Sequence, residues 1–152
     1  TIKGMAGQAL AAAEPPIPSP EAARRQLLAA LERMVAFMVA SPEAGTIVQF
    51  ILRELSHPTA ALDIIYDGVF EPTHRRLCQI WAAATGEDAE SERTRITVFT
   101  MIGQVIYFRV GRAAVMRRMG WRDIGTREAS AIAEVAESNL AVILESRRER
   151  RP

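Results

Sequence analysis

Apolar residues recur along most of this chain at intervals of three and four positions, the spacing of one face of an α-helix. The β-branched residues are scattered and do not alternate with polar ones, so the pattern predicts helices throughout and no sheet. A first helix is predicted over residues 2–14, and the proline-rich stretch 15–20 ends it. We therefore predict an all-α domain of about six helices.

Two serine–proline pairs predict where the next helices begin. Ser19 stands before Pro20, and Ser41 stands before Pro42. This is the order of a capping side chain followed by proline at the first helical position. The helix that starts at Ser41 is expected to end near Ser56.

A fourth helical segment is predicted over residues 59–85, and it contains a proline at position 72. Proline lacks a backbone N–H and its ring displaces the preceding turn, so we expect a kink or a split close to Phe70. Gly86 ends this segment. The acids of residues 87–90 then favour the start of a fifth helix, because the N-terminal end of a helix attracts negative charge.

The fifth helix is apolar on every side over residues 96–115. A helix of this kind must be buried all round, and at roughly 25–30 residues, about 40 Å, it is too long for one small domain to enclose. The last helix, residues 126–146, has an alanine-rich face that permits close packing. We therefore expect these two helices to meet a second subunit. The residues assigned to this interface are Ile106, Val110, Ala129, Ile132, Ala133, Ala136, Leu140 and Ile143.

Length and composition favour one globular domain spanning residues 1–152, with a flexible basic tail at 147–152. Of the 152 residues, 49% are hydrophobic and 24% are charged. The formal net charge of +1 is too small to attract nucleic acid or membrane over the whole surface. No secretion signal and no apolar run of membrane-spanning length occurs, and Cys78 is the single cysteine, so we expect a cytoplasmic protein.

The excess of methionine and the kink expected at Pro72 favour an adaptable apolar cavity among the middle helices, since methionine and aromatic side chains line such cavities. The apolar candidates are Met34, Phe37, Met38, Phe50, Ile51, Tyr66, Phe70, Trp81, Phe99, Met101 and Tyr107. The polar candidates within these helices are Glu54, His74, Thr100 and Gln104. For any one of these side chains, ordinary core packing is the competing interpretation.

An enzyme is the alternative hypothesis. Glu54 with His57 and Glu71 with His74 form two Glu-x-x-His patterns, which hold a di-iron pair in four-helix carboxylate proteins. Against it, His57 lies at a helix end before Pro58, and Pro72 lies inside the second pattern, where a regular helix is not expected. The sequence contains no glycine-rich phosphate loop, no Ser-His-Asp order and no paired cysteines, so we predict no catalytic residue, no metal and no cofactor. A dimeric interaction module without a ligand is a third hypothesis.

Several runs of residues resemble the C-terminal domain of TetR-family transcription regulators, in the CecR-like branch. The runs are FILRELSHPT at 50–59, IYDGVFEP at 65–72, HRRL at 74–77, FTMIGQVIYFR at 99–109, RAAV at 112–115 and GW at 120–121. Their order and spacing extend the likeness over about residues 41–143.

The resemblance implies a regulatory domain that dimerises through its last two long helices as a four-helix bundle. It also implies a small, mainly apolar organic effector held among the middle helices, in a regulator expected to be a repressor. The helix at residues 2–14 would then be the connection to an N-terminal helix-turn-helix. That DNA-reading part is not in this sequence, so we do not expect the chain to bind DNA by itself.

Overall fold

The computed structural model describes Pro16 and residues 19–149. Within these residues every regular element is helical, which confirms the all-α prediction. The α-helices are α1 Pro20–Val35, α2 Ala44–Ser56, α3 Ala60–Ile65, α4 Glu71–Thr85, α5 Glu92–Val110, α6 Arg112–Met119 and α7 Thr126–Glu149. Two π-helical segments, π1 Ala36–Ala40 and π2 Tyr66–Phe70, continue α1 and α3. The helix predicted over residues 2–14 lies outside the described residues.

Hydroxyl side chains cap three of the helices, namely α1, α3 and α5. Ser19 Oγ accepts the backbone N–H of Ala22 at 3.1 Å, so α1 begins at Pro20 as predicted. Ser91 Oγ accepts the N–H of Thr94 in the same way. Helix α5 therefore starts at Glu92, later than the acids of residues 87–90 suggested, and those acids lie in the preceding loop.

The core forms where α1 packs between α4 and α7. The apolar face of α1 is buried, with Leu31 and Val35 almost fully enclosed. From α4, Ile80 and Trp81 have no exposed surface. Burying a side chain of this size stabilises the fold by about 1.5–3 kcal/mol, so these contacts dominate the stability of the domain.

The two π segments are features that the sequence pattern did not predict. Helix π2 ends at Phe70, so the break expected there takes the form of a wider turn. Pro72 then lies in the first turn of α4, where a missing N–H costs no hydrogen bond. Segments of π-helix widen the turn locally and often accompany functional sites.

Two arginines hydrogen-bond to the carbonyl oxygens of π1. Arg109 Nε donates to the carbonyl oxygen of Met38 at 2.7 Å, and Arg112 Nη1 donates to that of Val39 at 3.1 Å. Burial and the neighbouring charge of Arg112 lower the pKa of Arg109. The two arginines therefore cap the end of π1.

Helix α5 is shorter than predicted because the chain turns at Gly111. The α6 helix leaves this residue at 75° to α5. A Cβ at position 111 would lie 3.1 Å from the carbonyl oxygen of Tyr107 and 3.2 Å from its ring, so a side chain there would be tightly packed and glycine is favoured. No single helix among the described residues has the length and hydropathy of a membrane span.

The alanine-rich face of α7 packs into the chain's own core, which corrects the predicted dimer interface. This face comprises Ala129, Ile132, Ala133, Ala136 and Leu140, all of them buried against the rest of the chain. Periodicity located the apolar face correctly, but α1 covers it. A second subunit would have to contact the opposite face of α7.

The end of α7 is anchored by a network around Glu87. Arg147 Nη1 lies 2.8 Å from Glu87 Oε1, and its guanidinium lies 5.9 Å from the centre of the Trp81 ring. Arg147 Nη2 also donates to Thr97 Oγ1 at 3.0 Å. Helix α7 therefore continues to Glu149, beyond the point where a flexible tail was predicted.

The pKa of Glu87 is determined by two opposing effects. Burial raises it, but the hydrogen bonds and charge of Arg147, with smaller contributions from Trp81 and Arg93, bring it below the usual value of 4.5. The folded chain therefore binds this proton less tightly than the unfolded chain. The resulting stabilisation is complete above about pH 4.5 and is lost as the pH falls through the lowered pKa.

We expect Arg147→Met to lower the free energy of unfolding at pH 7 by about 1–3 kcal/mol, since it leaves a half-buried carboxylate without its partner. Arg148→Met is the matched control. Arg148 contacts Glu21 at 3.7 Å in an exposed pair, so its loss should cost less than about 0.5 kcal/mol. Urea denaturation at pH 7 and pH 3.5 measures both variants. The Arg147→Met deficit should shrink at the lower pH, and equal deficits for the two variants would contradict the network.

Candidate ligand-binding cavity

A cavity of about 510 Å³ lies among α1, α2, α4, α5 and the two π segments. Its walls are mainly apolar. They are formed by Met34, Met38, Val48, Ile51, Leu52, Leu55, Tyr66, Val69, Phe70, Cys78, Phe99, Ile102, Gly103 and Ile106. Polar side chains gather at one edge, namely Glu71, Thr73, His74, Arg75, Glu90 and Arg95. A cavity of this volume is the size of a small-molecule site.

Each π segment places side chains in the cavity wall. Met38 comes from π1, and Tyr66, Val69 and Phe70 come from π2. The Arg109 hydrogen bond to the Met38 carbonyl fixes the first of these walls. The widened turns therefore lie on two sides of the same space.

The structure brings seven of the predicted pocket residues together around this cavity. They are Met34, Met38, Ile51, Tyr66, Phe70, His74 and Phe99. They come from α1, both π segments, α2, α4 and α5, as the sequence analysis expected for a pocket among the middle helices.

Other predicted pocket residues belong to the core. Trp81 and Met101 border a separate void of only about 30 Å³, together with Met34. This void is too small for an organic ligand. These two side chains therefore pack in the core, as the competing interpretation of methionine and aromatic residues allowed.

The remaining predicted residues do not reach the cavity for local reasons. Glu54 is buried, but its carboxylate accepts the N–H and hydroxyl of Thr59 at 3.0 and 2.7 Å. The Phe50 ring lies under the guanidinium of Arg53. Gln104 accepts a hydrogen bond at 3.4 Å from Asn139 of α7, away from the cavity. Phe37, Thr100 and Tyr107 are also absent from the wall, and Tyr107 is exposed.

Ile106 has a different position from the one predicted. It was assigned to the dimer interface, but its side chain lines the cavity together with Ile102. On a helix that is apolar on every side, periodicity cannot distinguish the face toward a ligand from the face toward a partner.

A linked set of contacts organises the polar edge. His74 Nε2 lies 3.2 Å from the carbonyl oxygen of Arg95 and can donate to it in the tautomer that carries the proton on Nε2. In that tautomer Nδ1 can accept from the Cys78 thiol at 3.7 Å. The His74 ring also stacks on Phe99, with 3.9 Å between ring centres and 23° between planes. Both ring nitrogens and the ring face are therefore already in use.

Ionisable groups at this edge also find partners within the chain. Arg75 pairs with Glu71 at 3.3 Å, one helical turn away. Burial, with the charge of Glu90, raises the pKa of Cys78 to about 11, and Arg95 opposes the shift. The thiol is therefore protonated at neutral pH and is a poor nucleophile.

Several wall residues could not be recognised from the sequence. Leu52 and Val69 sit on helices already assigned to the pocket, and they carried no aromatic or methionine signal. Cys78, noted in the sequence only as the single cysteine, is buried and borders the cavity. Its position four residues after His74 was the available clue.

The two Glu-x-x-His patterns do not converge. Glu54 is occupied by Thr59, and Glu71 pairs with Arg75. His57 ends α2 at an exposed position. Within the described residues no three metal-ligating side chains are grouped closely enough for a metal site. The geometry does not favour the di-iron hypothesis.

Comparison with known proteins identifies the domain type. The family described as "HTH-type transcriptional dual regulator CecR, C-terminal domain" matches residues 23–147. The HTH-type transcriptional dual regulator CecR of Shigella flexneri is 28% identical over 130 residues, covering 86% of this chain and 58% of that relative. The chain thus spans somewhat more than half the length of the relative. The resemblance inferred from the sequence is confirmed.

The raised pKa of Cys78 predicts slow alkylation by iodoacetamide in the folded chain. A pKa of about 11 against the usual 9.0 leaves about a hundredfold less thiolate at neutral pH, and burial slows the reaction further. The native rate should keep rising with pH beyond 9, whereas the rate in urea should level off near the usual pKa. A native rate equal to the rate in urea at pH 8 would contradict this assignment.

Proposed function

Because this chain belongs to the CecR C-terminal domain family, we propose that it is the effector-binding and dimerisation domain of a TetR-type transcription regulator. In this proposal the domain senses a small molecule and performs no catalysis. DNA is read by an N-terminal helix-turn-helix, and the regulator acts in the cytoplasm. We expect a repressor, although the name of the Shigella flexneri relative describes that protein as a dual regulator.

The cavity is the observation that carries the effector proposal. Its volume of about 510 Å³ admits an organic molecule, and its walls are largely aliphatic and aromatic. At the polar edge, His74 and the Glu71–Arg75 pair are satisfied within the chain. Because most of the wall is apolar, a mainly apolar effector fits best.

An exposed apolar face supports the homodimer proposal. Ile96, Tyr107 and Val110 of α5 and Val135 and Val142 of α7 are each between 54% and 66% exposed. The Asn139–Gln104 hydrogen bond joins the two helices within this face. We call these five apolar residues the outer face. Monomeric soluble domains seldom leave a patch of this kind uncovered.

The outer face lies on the other side of α5 and α7 from most of the interface residues that the sequence predicted. Val110 belongs to it, and Ile143 lines a shallow groove between α5 and α7 beside Ile96 and Val142. Pairing the outer faces of two copies would form a four-helix bundle from α5 and α7 of each subunit. The helices proposed for dimerisation are unchanged, and only the face is reassigned.

Helix α5 offers a route from effector to dimer. Phe99, Ile102 and Ile106 face the cavity, whereas Ile96 and Tyr107 belong to the outer face. A rigid helix cannot shift on one side without moving the other. Our hypothesis is that effector binding moves α5. This movement would change the position of the two subunits relative to each other, and with it the spacing of their DNA-reading domains.

The effector proposal predicts that Ile51→Gln weakens binding of decanol about tenfold or more, because it places an amide in the apolar wall. Phe50→Gln is the matched control, since Phe50 is the adjacent residue of α2 and does not line the cavity. The increase in melting temperature with added decanol reports binding to the folded chain. Equal loss in both variants, or no stabilisation of the wild type, would count against this cavity.

The dimer proposal predicts that Val142→Glu yields monomers, because two carboxylates would be buried at the pairing of outer faces. Val142 is 66% exposed in the single chain, so its replacement should leave the fold intact. Ile64→Glu, at a position 68% exposed on α3, is the control and should remain dimeric. Sedimentation equilibrium measures both. A dimeric Val142→Glu protein would overturn the outer face as the interface.

A further inference from the structure

Gly103 lies in the middle of α5, where glycine is an unfavourable choice. Glycine loses more backbone freedom in a helix than any other residue, so alanine at the same place would be more stable. A glycine inside a helix therefore requires a reason from its surroundings.

The described part of the chain supplies no such reason. The backbone at Gly103 is helical, and among the described glycines only Gly86 and Gly120 have positive φ. A Cβ built at Gly103 would meet no described atom within 4 Å, apart from the backbone of its own helix. At Gly111, by contrast, a Cβ would lie within 3.1–3.4 Å of Tyr107. Crowding therefore favours glycine at position 111, whereas nothing in the described chain favours it at position 103.

Gly103 borders the cavity between two larger side chains of the same helix. Phe99 precedes it by four residues and Ile106 follows it by three, and all three residues line the wall. The missing side chain leaves a notch between them, about one helical turn high. In this notch a ligand can touch the bare backbone of α5.

The walls of this notch favour a flat, uncharged group. Phe99 is held in place by its stacking on His74, which is itself fixed by the carbonyl oxygen of Arg95. Tyr66 and Phe70 add further aromatic surface to the same cavity. The ionisable groups lie at the edge around His74, and aromatic rings prefer stacked or edge-on contact with one another.

We propose that Gly103 is the point where a planar, uncharged aromatic ring of the effector packs against α5, between Phe99 and Ile106. This inference rests on the proposed function and specifies the class of molecule that the cavity takes. A methyl group at position 103 would then occupy the space of the ligand and would touch nothing else in the described chain.

The test is Gly103→Ala, because the substitution should stabilise the fold while it weakens binding. We expect a melting temperature about 2–6 °C higher than that of the wild type. Affinity for N-phenylnaphthylamine, a neutral fluorophore that carries a planar naphthalene ring, should fall about tenfold or more. A variant that folds better and binds worse cannot be explained by misfolding.

Gly45→Ala is the matched control. Gly45 lies in α2 outside the cavity wall, and a Cβ there would make only ordinary contact, 3.8 Å from the guanidinium of Arg109. This variant should bind N-phenylnaphthylamine like the wild type. Decanol, which has no ring, should lose less affinity than the fluorophore in Gly103→Ala.

Four results would overturn the inference. Unchanged fluorophore binding in Gly103→Ala would show that nothing packs at this point. Loss of the dimer with unchanged binding would show that a second copy of the chain, rather than a ligand, approaches Gly103. If the wild-type protein binds decanol but not the fluorophore, aromatic effectors are excluded and the proposed effector function stands. If the wild-type protein binds neither probe, the proposed effector function is excluded as well.

Discussion

Backbone carbonyl groups that lose their helical partners must find others, and this requirement organises the domain around the end of α1. Where α1 widens into π1, the carbonyl oxygens of Met38 and Val39 accept from Arg109 and Arg112. Hydrogen bonds from charged donors are stronger than neutral ones, so they join α1 firmly to the bend between α5 and α6. The same contacts hold Met38 in the cavity wall. The core, the bend and the cavity thus share one set of restraints.

Helix α5 is the element on which the functional proposals converge. It is apolar on every side, a composition that would be unfavourable for a helix at the surface of a monomer. The structure gives each side a role: one packs in the core through Val98 and Val105, one lines the cavity, and one forms the outer face. Sensing and assembly would therefore depend on the position of a single helix.

Local chemistry made much of the fold predictable from sequence. Ser19 before Pro20 located the start of α1, and Pro72 located the break before α4, since both effects act within one turn. The break at Gly111 was missed because its cause is a contact with Tyr107, which periodicity does not reveal. Leu140 was assigned to a partner because an apolar face does not state what covers it. For the same reason, Trp81 and Met101 could not be separated from true cavity residues such as Ile51 and Phe70.

Helix α6 illustrates how unevenly the domain would tolerate change over evolutionary time. None of its side chains is fully buried, and apart from Arg112, which holds π1, and Met116, which packs against the core, little in the described chain depends on their identity. The residue just before it, Gly111, leaves little room for a side chain. Related domains could therefore acquire different surface chemistry along α6 by successive neutral substitutions, while the direction in which that surface points would be inherited unchanged.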